Sequence, residues 1–289
     1  MPALGLPDDP GLRRDIEACS DAAAPGATRT LALGAALRLS QQYDCDLAQV
    51  ELTALAAHVA PARYERNLGT VGWEGQAALL HATVAVVGAG GLGGWAIEGL
   101  ARMGVGHLVV VDGDCFVENN LNRQLGCTVA TLGRPKAEVM AERVREVNRA
   151  TRVSAHVVWL KAENAAVLLA GAQVVVDALD SLPARLLLQR VCAEQQVPLV
   201  HGAIAGYTGQ VMTIMPGDRG LTALYGERER MPDKGIETLL GNPAATPMLV
   251  AAWQTHEVVK LVAGRGTPIR NRVLVLDAEF GEVTEIRLD

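Results

Sequence analysis

The sequence predicts an α/β fold: a Rossmann-like, doubly wound and mostly parallel sheet with antiparallel C-terminal strands and an N-terminal helical extension. Between residues 61 and 205, apolar runs rich in β-branched residues alternate with amphipathic stretches. Such alternation produces parallel strands with helices on both faces of the sheet. A glycine-rich turn joins the first run to the first amphipathic stretch, and an Ala-rich segment of different composition precedes them.

Composition restricts the possible classes of protein. The chain has 289 residues, of which 49% are apolar, so it can bury a large core without disulfides or metals. Its net charge of −6 and aromatic share of 3% argue against a nucleic-acid surface. Because it shows neither a signal peptide nor a run of about 18 apolar residues, we expect a cytoplasmic protein that does not bind membranes.

Residues 1–60 are expected to form the helical extension. Thr30–Tyr43 and Asp46–Ala60 show helical apolar spacing, and Asp46 is placed to cap the second helix. A helix of this kind buries one apolar stripe, so the extension should pack on the main domain or on a second copy of the chain. Residues 61–289 are then expected to form a nucleotide-binding domain.

The elements of this domain follow in order along the chain. Strands are expected at Thr83–Gly88, His107–Asp112, Val153–Leu160, Ala172–Ala178, Pro198–Ile204 and Gly209–Met215. Helices are expected at Leu92–Met103, Pro135–Asn148, Pro183–Glu194 and Pro247–Ala263, and a closing hairpin at Arg272–Asp277 and Glu282–Leu288. The loop at about 216–246 is longer than an ordinary connection, which is typical of a functional lid or of a disordered segment.

The glycine-rich turn has the spacing G-x-G-x-x-G. It consists of Gly88, Ala89, Gly90, Gly91, Leu92 and Gly93. Its place after a predicted strand and before a predicted helix predicts a phosphate site, since glycines let backbone N–H groups approach an anion at a helix N-terminus. Asp112 ends the next strand, where an acidic side chain can bind ribose hydroxyls. These features indicate a nucleotide and do not separate NAD from ATP.

A polar cluster directly after Asp112 is more specific. It includes Asp114, Asn120, Arg123 and Gln124, and Lys136 follows at a helix start. Arg123 and Lys136 are placed to meet a polyphosphate from the side opposite the glycine loop, which an NAD enzyme does not require. Asp180 ends a later strand at the ligand-binding edge and could hold Mg²⁺. Asp177, deeper in that strand, is the less favoured ligand.

Together these residues resemble the MoeB/ThiF/HesA family, the bacterial relatives of ubiquitin-activating enzymes, from about Arg63 to the C-terminus. The matching segments are RYERN from Arg63, GAGGLGG, VVVDGD, NNLNRQ, GRPK, DALDS, GAIAGYTGQV and HEVVK from His256. The resemblance implies an adenylyltransferase that uses ATP and Mg²⁺. Its expected partner is a small ubiquitin-like sulfur-carrier protein, whose C-terminal Gly-Gly carboxylate attacks the α-phosphate to give an acyl-adenylate and pyrophosphate.

The resemblance also implies roles for single residues. Gly90 and Gly91 would lie under the phosphates, Asp112 would hold the ribose, and Asn120, Arg123 and Lys136 would contact phosphate. Asp180 would bind the metal ion. Arg66 would reach into the ATP site of a neighbouring subunit, which implies a homodimer with shared sites.

The chain departs from the family in its cysteines. Many relatives hold a structural zinc with two C-x-x-C pairs, and none occurs here, so we predict no zinc site. Relatives that pass the carrier on as a thioester use a cysteine before the last helix, whereas residues 206–289 contain none. Cys115, Cys127 and Cys192 are expected to be small packing residues. The adenylate would then pass to an external sulfur donor, thiol or amine.

Three alternatives stay open at this point. The same scaffold could adenylate another carboxylate, a peptide or a modified tRNA base, although the acidic net charge disfavours tRNA. An NAD(P)-dependent oxidoreductase is supported only by the glycine loop and Asp112. A non-catalytic dimerising module would have no need of the complete set of ATP-site residues.

Overall fold

The computed structural model describes residues 9–22, 27–226 and 240–288. Its helices are α1 Pro10–Ala18, α2 Leu33–Gln42, α3 Leu47–Ala56, α4 Glu65–His81, α5 Gly91–Met103, α6 Lys136–Val147, α7 Ala162–Leu168, α8 Leu182–Glu194, α9 Leu221–Tyr225 and α10 Ala245–Ala263. Its strands are β1 Asp21–Ala22, β2 Arg29–Leu31, β3 Ala60–Pro61, β4 Thr83–Val87, β5 His107–Val111, β6 Arg152–His156, β7 Val174–Asp177, β8 Leu199–Ala205, β9 Thr208–Ile214, β10 Arg272–Asp277 and β11 Glu282–Arg287.

The central sheet has eight strands in the order β11-β10-β9-β8-β7-β4-β5-β6. Strands β4 to β8 pair in parallel, with Val84 opposite both Leu108 and Val174. Strands β9, β10 and β11 pair antiparallel, and β9 is antiparallel to β8. The predicted fold class is confirmed. The chain runs from β4 to β5 and β6 on one side of β4 and then crosses to β7 on the other side, which opens a crevice at the carboxyl ends of these strands.

Two apolar layers cover the sheet. Val84 and Val86 of β4 belong to a buried cluster with Ile97 of α5, whereas Ala85 and Val87 belong to a second cluster with Leu188 of α8. Alternate residues of one strand therefore face opposite layers, as a strand covered by helices on both sides requires. This packing fixes the strand ends that carry the candidate site.

Several predicted boundaries are wrong. Strand β6 ends at His156 rather than at residue 160, because Val157, Val158 and Trp159 leave the sheet and become exposed. Helices α1, α4, α7 and α9 were not predicted, and α9 lies inside the loop expected at 216–246. Residues 227–239 of that loop lie outside the described residues. Helix α10 begins two residues before Pro247, which fits in the first turn because no backbone N–H is needed there.

The extension at residues 1–60 contains α2 and α3 at the two predicted places. It also contains α1 and a small sheet in the order β1-β2-β3, and β3 spans the expected domain boundary, which stays a prediction. Asp46 precedes α3, but its side chain makes no capping bond. Its backbone carbonyl instead accepts the N–H groups of Gln49 and Val50 at 2.9 and 3.2 Å.

A buried polar network joins the extension to the rest of the chain. Glu51 of α3 is 1% exposed, and its Oε1 lies 3.2 Å from Nη2 of Arg63. Arg63 also donates to Oδ1 of Asn148. The amide of Asn148 in turn donates to the Tyr64 hydroxyl at 2.8 Å and to the Ala101 carbonyl at 2.9 Å. Burial raises the pKa of Glu51 to about 7, although Arg63 opposes the shift.

This raised pKa predicts a pH-dependent stability. The folded chain keeps a proton on Glu51 that the unfolded chain releases near pH 4.5, so the contribution is complete below 4.5 and is lost as the pH rises through about 7. The free energy of unfolding should fall by about 3 kcal/mol across this window. Urea unfolding at several pH values measures it. Glu51→Gln should flatten the slope, exposed Glu65→Gln should not, and equal slopes in both variants would contradict the prediction.

Candidate functional site

A cavity of about 500 Å³ opens at the carboxyl ends of the parallel strands. Ten of the residues proposed from the sequence line it: Gly88, Gly90, Gly91, Leu92, Asp112, Asp114, Arg123, Gln124, Lys136 and Asp180. Three others, Gly93, Asn120 and Arg66, do not. The sheet therefore brings together residues that are up to 92 positions apart in the chain, from Gly88 to Asp180.

The glycine loop leaves β4 and enters α5 beneath the cavity. Gly88 has φ of +96°, and a Cβ there would lie 2.4 Å from the carbonyl oxygen of Ala178. At Gly90 the nearest atom to an added Cβ would be the Gln124 amide nitrogen at 3.4 Å. Gly90 lines the cavity and has no side chain to cover its backbone. A bare backbone turn at the N-terminus of a long helix fits a phosphate group.

Gly93, in the first turn of α5, packs directly against the backbone of this loop. A Cβ at Gly93 would lie 1.7 Å from the carbonyl oxygen of Gly88, whereas a Cβ at Gly94 would meet its nearest atom, Cβ of Leu125, at 3.5 Å. Gly93 thus lets the helix approach the strand closely and does not face the cavity. Its assignment as a nucleotide-contacting residue finds no support in this position.

This difference gives a matched pair of variants. Gly93→Ala is expected to displace the loop backbone, to raise the Kd for ATP about tenfold or more, and to lower the free energy of unfolding by about 1–3 kcal/mol. Gly94→Ala should change both quantities little, since its Cβ has room. Calorimetric titration with ATP and denaturant unfolding measure the two effects. Equal ATP affinities for the two variants would contradict this account of the loop.

Asp112 stabilises the same loop through hydrogen bonds. Its Oδ2 accepts the N–H of Ala89 at 2.6 Å, and its Oδ1 accepts the N–H of Asp114 at 2.8 Å. Burial raises the pKa of Asp112, and these two backbone donors oppose the shift. Each carboxylate oxygen keeps a second lone pair. Asp112 can therefore order the loop and still accept a hydrogen bond from a hydroxyl group of a ligand in the cavity.

The two proposed cations differ in their surroundings. Lys136, the first residue of α6, is 7% exposed, and its Nζ lies 3.0 Å from Oδ2 of Asp114. Arg123 is partly exposed, and its Nη1 donates to the Asn119 carbonyl and to Oδ1 of Asn122, both at 2.8 Å. Both side chains line the cavity. An incoming polyanion would therefore meet one cation on a helix start and one on a turn.

Two amides follow the cations in the proposed set. Asn120 is buried, and its side chain accepts the Val117 N–H at 3.1 Å and donates to Oδ1 of Asn119 at 2.8 Å. It organises the turn and is not part of the cavity wall, so a direct phosphate contact finds no support here. Gln124 is also buried but lines the cavity, and its Oε1 has no hydrogen-bond partner among the described residues.

The two acids after β7 have different environments. Asp180 is exposed in the turn before α8 and lines the cavity. Asp177 is fully buried, accepts the Leu179 N–H at 3.0 Å, and lies 2.7 Å from Nδ1 of His201. Burial lowers the pKa of His201, although Asp177 opposes the shift. Asp177 is thus engaged in the core, whereas Asp180 is available to a ligand.

The acids of this site suit a metal ion that is shared with a ligand. The described residues contain no group of three or more His, Cys, Asp or Glu side chains that could hold a metal by themselves. Mg²⁺ is commonly bound by one or two carboxylates together with phosphate oxygens and waters. Asp180 fits that mode, since it is exposed on the same cavity as the glycine loop.

Arg185 and Trp159 are among the cavity residues that the sequence did not indicate. Arg185 of α8 lines the cavity beside Asp180, donates to the Leu179 carbonyl through Nε at 3.0 Å, and lies 3.8 Å from Asp177. Trp159 also lines the cavity, and its ring lies against Gly113. In the sequence, Trp159 lies in the apolar run VVWL at the ligand-binding edge, a pattern that predicts a strand. Arg185 could have been recognised by its position in the first turn of the helix that follows Asp180.

The cysteines near the site are of two kinds. Cys127 and Cys192 are buried, and burial raises the pKa of both thiols, that of Cys192 to about 12. Such thiols are poor nucleophiles near neutral pH. Cys115 is exposed, so its expected role as a packing residue is wrong.

Arg66 is an exposed residue in the first turn of α4, outside the cavity of its own chain. Across the residues that the structure covers, no helix is long and apolar enough to span a membrane.

Comparison with known sequences confirms the resemblance. Residues 64–289 match the model of the ThiF family. The SAMP-activating enzyme E1 of Haloferax volcanii is 40% identical over 221 residues, which cover 75% of this chain and 81% of that protein. The sulfur carrier protein adenylyltransferase of Thermus thermophilus is 36% identical over 224 residues, covering 75% of this chain and 83% of that protein.

A longer relative and two solved structures are also similar. The adenylyltransferase and sulfurtransferase MOCS3-2 of Zea mays is 34% identical over 78% of this chain, which spans only 48% of that protein. The crystal structure of PaaA superposes with a TM-score of 0.67 at 18% identity, covering 78% of this chain and 73% of the other. That of E. coli MccB with ATP gives a TM-score of 0.64 at 19% identity, with coverages of 78% and 70%. These two similarities establish the fold.

Proposed function

Because the chain belongs to the ThiF family and its relatives include adenylyltransferases, we propose that it adenylates the C-terminal Gly-Gly carboxylate of a small ubiquitin-like sulfur-carrier protein with ATP. The observation that carries this proposal is the convergence of the glycine loop, Asp112, Lys136 and Asp180 on one cavity. The similarity to a sulfur carrier protein adenylyltransferase supports the choice of acceptor.

The reaction needs charge neutralisation more than acid–base chemistry. A carboxylate oxygen of the carrier forms a bond to the α-phosphorus, the bond from that phosphorus to the bridging oxygen breaks, and pyrophosphate leaves. The attacking group is already ionised, so no side chain has to remove a proton. The obstacle is the approach of an anion to a polyanion, which fixed cations in a cavity can offset.

The proposed roles follow from the surroundings of each side chain. Backbone N–H groups at Gly90 and Gly91 would bind phosphate, and Asp112 would accept ribose hydroxyls. Lys136 would exchange its contact with Asp114 for a phosphate oxygen. Mg²⁺ supplies neutralisation of phosphate charge and orients the leaving group when bound, and Asp180 would hold it. Arg123 would contact the polyphosphate from the exposed side.

The adenylate is proposed to leave the protein without a thioester intermediate. Residues 206–289 contain no cysteine, and the pKa of the buried Cys127 and Cys192 thiols is raised. Cys115 is exposed, so the proposal rests on the absence of a cysteine from residues 206–289, and an external sulfur donor, a thiol or an amine would take the acyl group. Trapping a carrier–enzyme conjugate that thiols cleave would contradict this step.

Carrier-dependent exchange of labelled pyrophosphate into ATP tests the proposal. The purified protein is expected to catalyse exchange with an intact Gly-Gly carrier and to lose it with the same carrier lacking the last glycine. Exchange that needs no carrier would favour another carboxylate, a peptide or a modified tRNA base as acceptor. Binding of NAD(P) in place of ATP would support the oxidoreductase alternative.

We also propose a homodimer in which Arg66 completes the site of the other subunit. Support comes from its exposure on α4, outside the cavity of its own chain. Arg66→Ala and Asp180→Asn subunits, each of low activity alone, should regain exchange when mixed, because one of the two sites then holds both native residues. Failure of the mixture to regain activity would contradict a shared site.

A further inference from the structure

The wall of the cavity next to Asp112 is apolar and carries an exposed indole. Val158, Trp159 and Leu160 line this wall directly after β6. Trp159 is 59% exposed and Val158 is 40% exposed. A solvated apolar patch of this kind, in a cavity that also carries charged side chains, is typical of a surface that a ligand covers.

The position of Trp159 is fixed from two sides. Nδ2 of Asn164 donates to the Trp159 carbonyl at 2.9 Å, and Oδ1 of the same residue accepts the Lys161 N–H at 2.8 Å, which ties the segment to the start of α7. The ring lies across Gly113, where an added Cβ would come within 2.8–2.9 Å of three indole carbons. The absence of a side chain at residue 113 therefore makes room for the ring beside Asp112.

We propose that Trp159 is the stacking platform for the base of the bound nucleotide and gives the site a preference for purines over pyrimidines. This inference rests on the proposed function. If Asp112 holds the ribose and the phosphates extend toward Gly90 and Lys136, the base must lie on the other side of the ribose. Trp159 and Tyr225 are the aromatic residues among the described lining residues, and Trp159 is the one whose ring lies against Gly113, next to Asp112.

Stacking also determines which bases the site distinguishes. The face of an aromatic ring interacts with any base, and the interaction grows with the stacked area rather than with the exocyclic groups. Loss of the indole should therefore weaken ATP and GTP by similar factors, and CTP and UTP by less. Affinity for the phosphates themselves should be unchanged.

Calorimetric titration of the full chain with nucleotides in the presence of Mg²⁺ tests the proposal. Trp159→Ala is expected to raise the Kd for ATP about ten- to hundredfold, with no change in the Kd for inorganic tripolyphosphate. Trp159→Phe should recover most of the affinity. Trp73→Phe is the matched control, since Trp73 packs edge-on against His58 outside the cavity lining. It should bind ATP like the native protein.

The outcomes separate this inference from the proposed function. Native-like ATP binding by Trp159→Ala, or equal losses for ATP and tripolyphosphate, would overturn the stacking role while leaving adenylation intact. If Trp159→Ala loses affinity for ATP but not for tripolyphosphate, and the native protein shows no carrier-dependent exchange, the stacking role is supported and the proposed carrier substrate is contradicted. A native protein that binds no nucleoside triphosphate would overturn both.

Discussion

Asp180→Asn is expected to lower the rate of ATP–pyrophosphate exchange roughly a hundredfold or more, because a neutral amide is a weaker ligand for a divalent cation. The side chain is exposed in the turn before α8 and lines the cavity with the glycine loop. Exchange measured over a series of Mg²⁺ concentrations should show that the variant needs more metal ion, with part of the activity returning at high Mg²⁺.

Two controls separate the metal role from a structural one. Glu279→Gln removes an exposed carboxylate from the turn between β10 and β11 and should leave exchange unchanged. Asp177→Asn changes an acid that is paired with His201 in the core and should lower the free energy of unfolding. Native exchange and native Mg²⁺ dependence in Asp180→Asn would reject the metal assignment.

Glu257→Ala should give a large loss of stability, about 3–5 kcal/mol. Glu257 of α10 is fully buried, and its Oε2 accepts the Thr213 hydroxyl at 2.5 Å and the Ile269 N–H at 2.7 Å. Lys260, one turn further along the helix, pairs with Oε1. Alanine would leave two buried donors without an acceptor between α10 and β9.

The matched variant is Glu257→Gln, which keeps an acceptor oxygen and nearly the same volume. Denaturant unfolding should show a smaller loss for glutamine than for alanine, and unchanged m-values would show that the compactness of the two states is preserved. If alanine and glutamine lower the free energy of unfolding equally, the hydrogen bonds to Thr213 and Ile269 do not stabilise this contact.

The central sheet and the centre of the site could be predicted because their signals are local. A strand buried on both faces is a short apolar run; Gly88 and Asp112 directly follow such runs, and Asp180 lies three residues after the end of β7. The carboxyl ends of parallel strands meet at one edge, so residues far apart in sequence come together there. Lys136 was recognisable by the same reasoning because it starts the helix that follows.

The remaining differences concern what each residue contacts in the folded chain, which depends on tertiary structure. Asn120 lies in the polar cluster but turns inward to satisfy the Val117 N–H. Gly93 belongs to the glycine motif but serves the contact between helix and strand. Trp159 has the apolar character of a strand residue, yet the chain leaves the sheet at His156 and sets its ring across Gly113. Spacing alone carries no information on these contacts.

Intact-mass spectrometry of a sulfur-carrier protein after incubation with this protein, ATP and Mg²⁺ tests the central claim most directly. The account predicts a carrier heavier by one adenylyl group, formed together with pyrophosphate and absent when the C-terminal glycine is removed. Hydroxylamine should release the adenylyl group and leave a hydroxamate on the carrier. An unmodified carrier, under conditions in which the native protein binds ATP, would contradict the account.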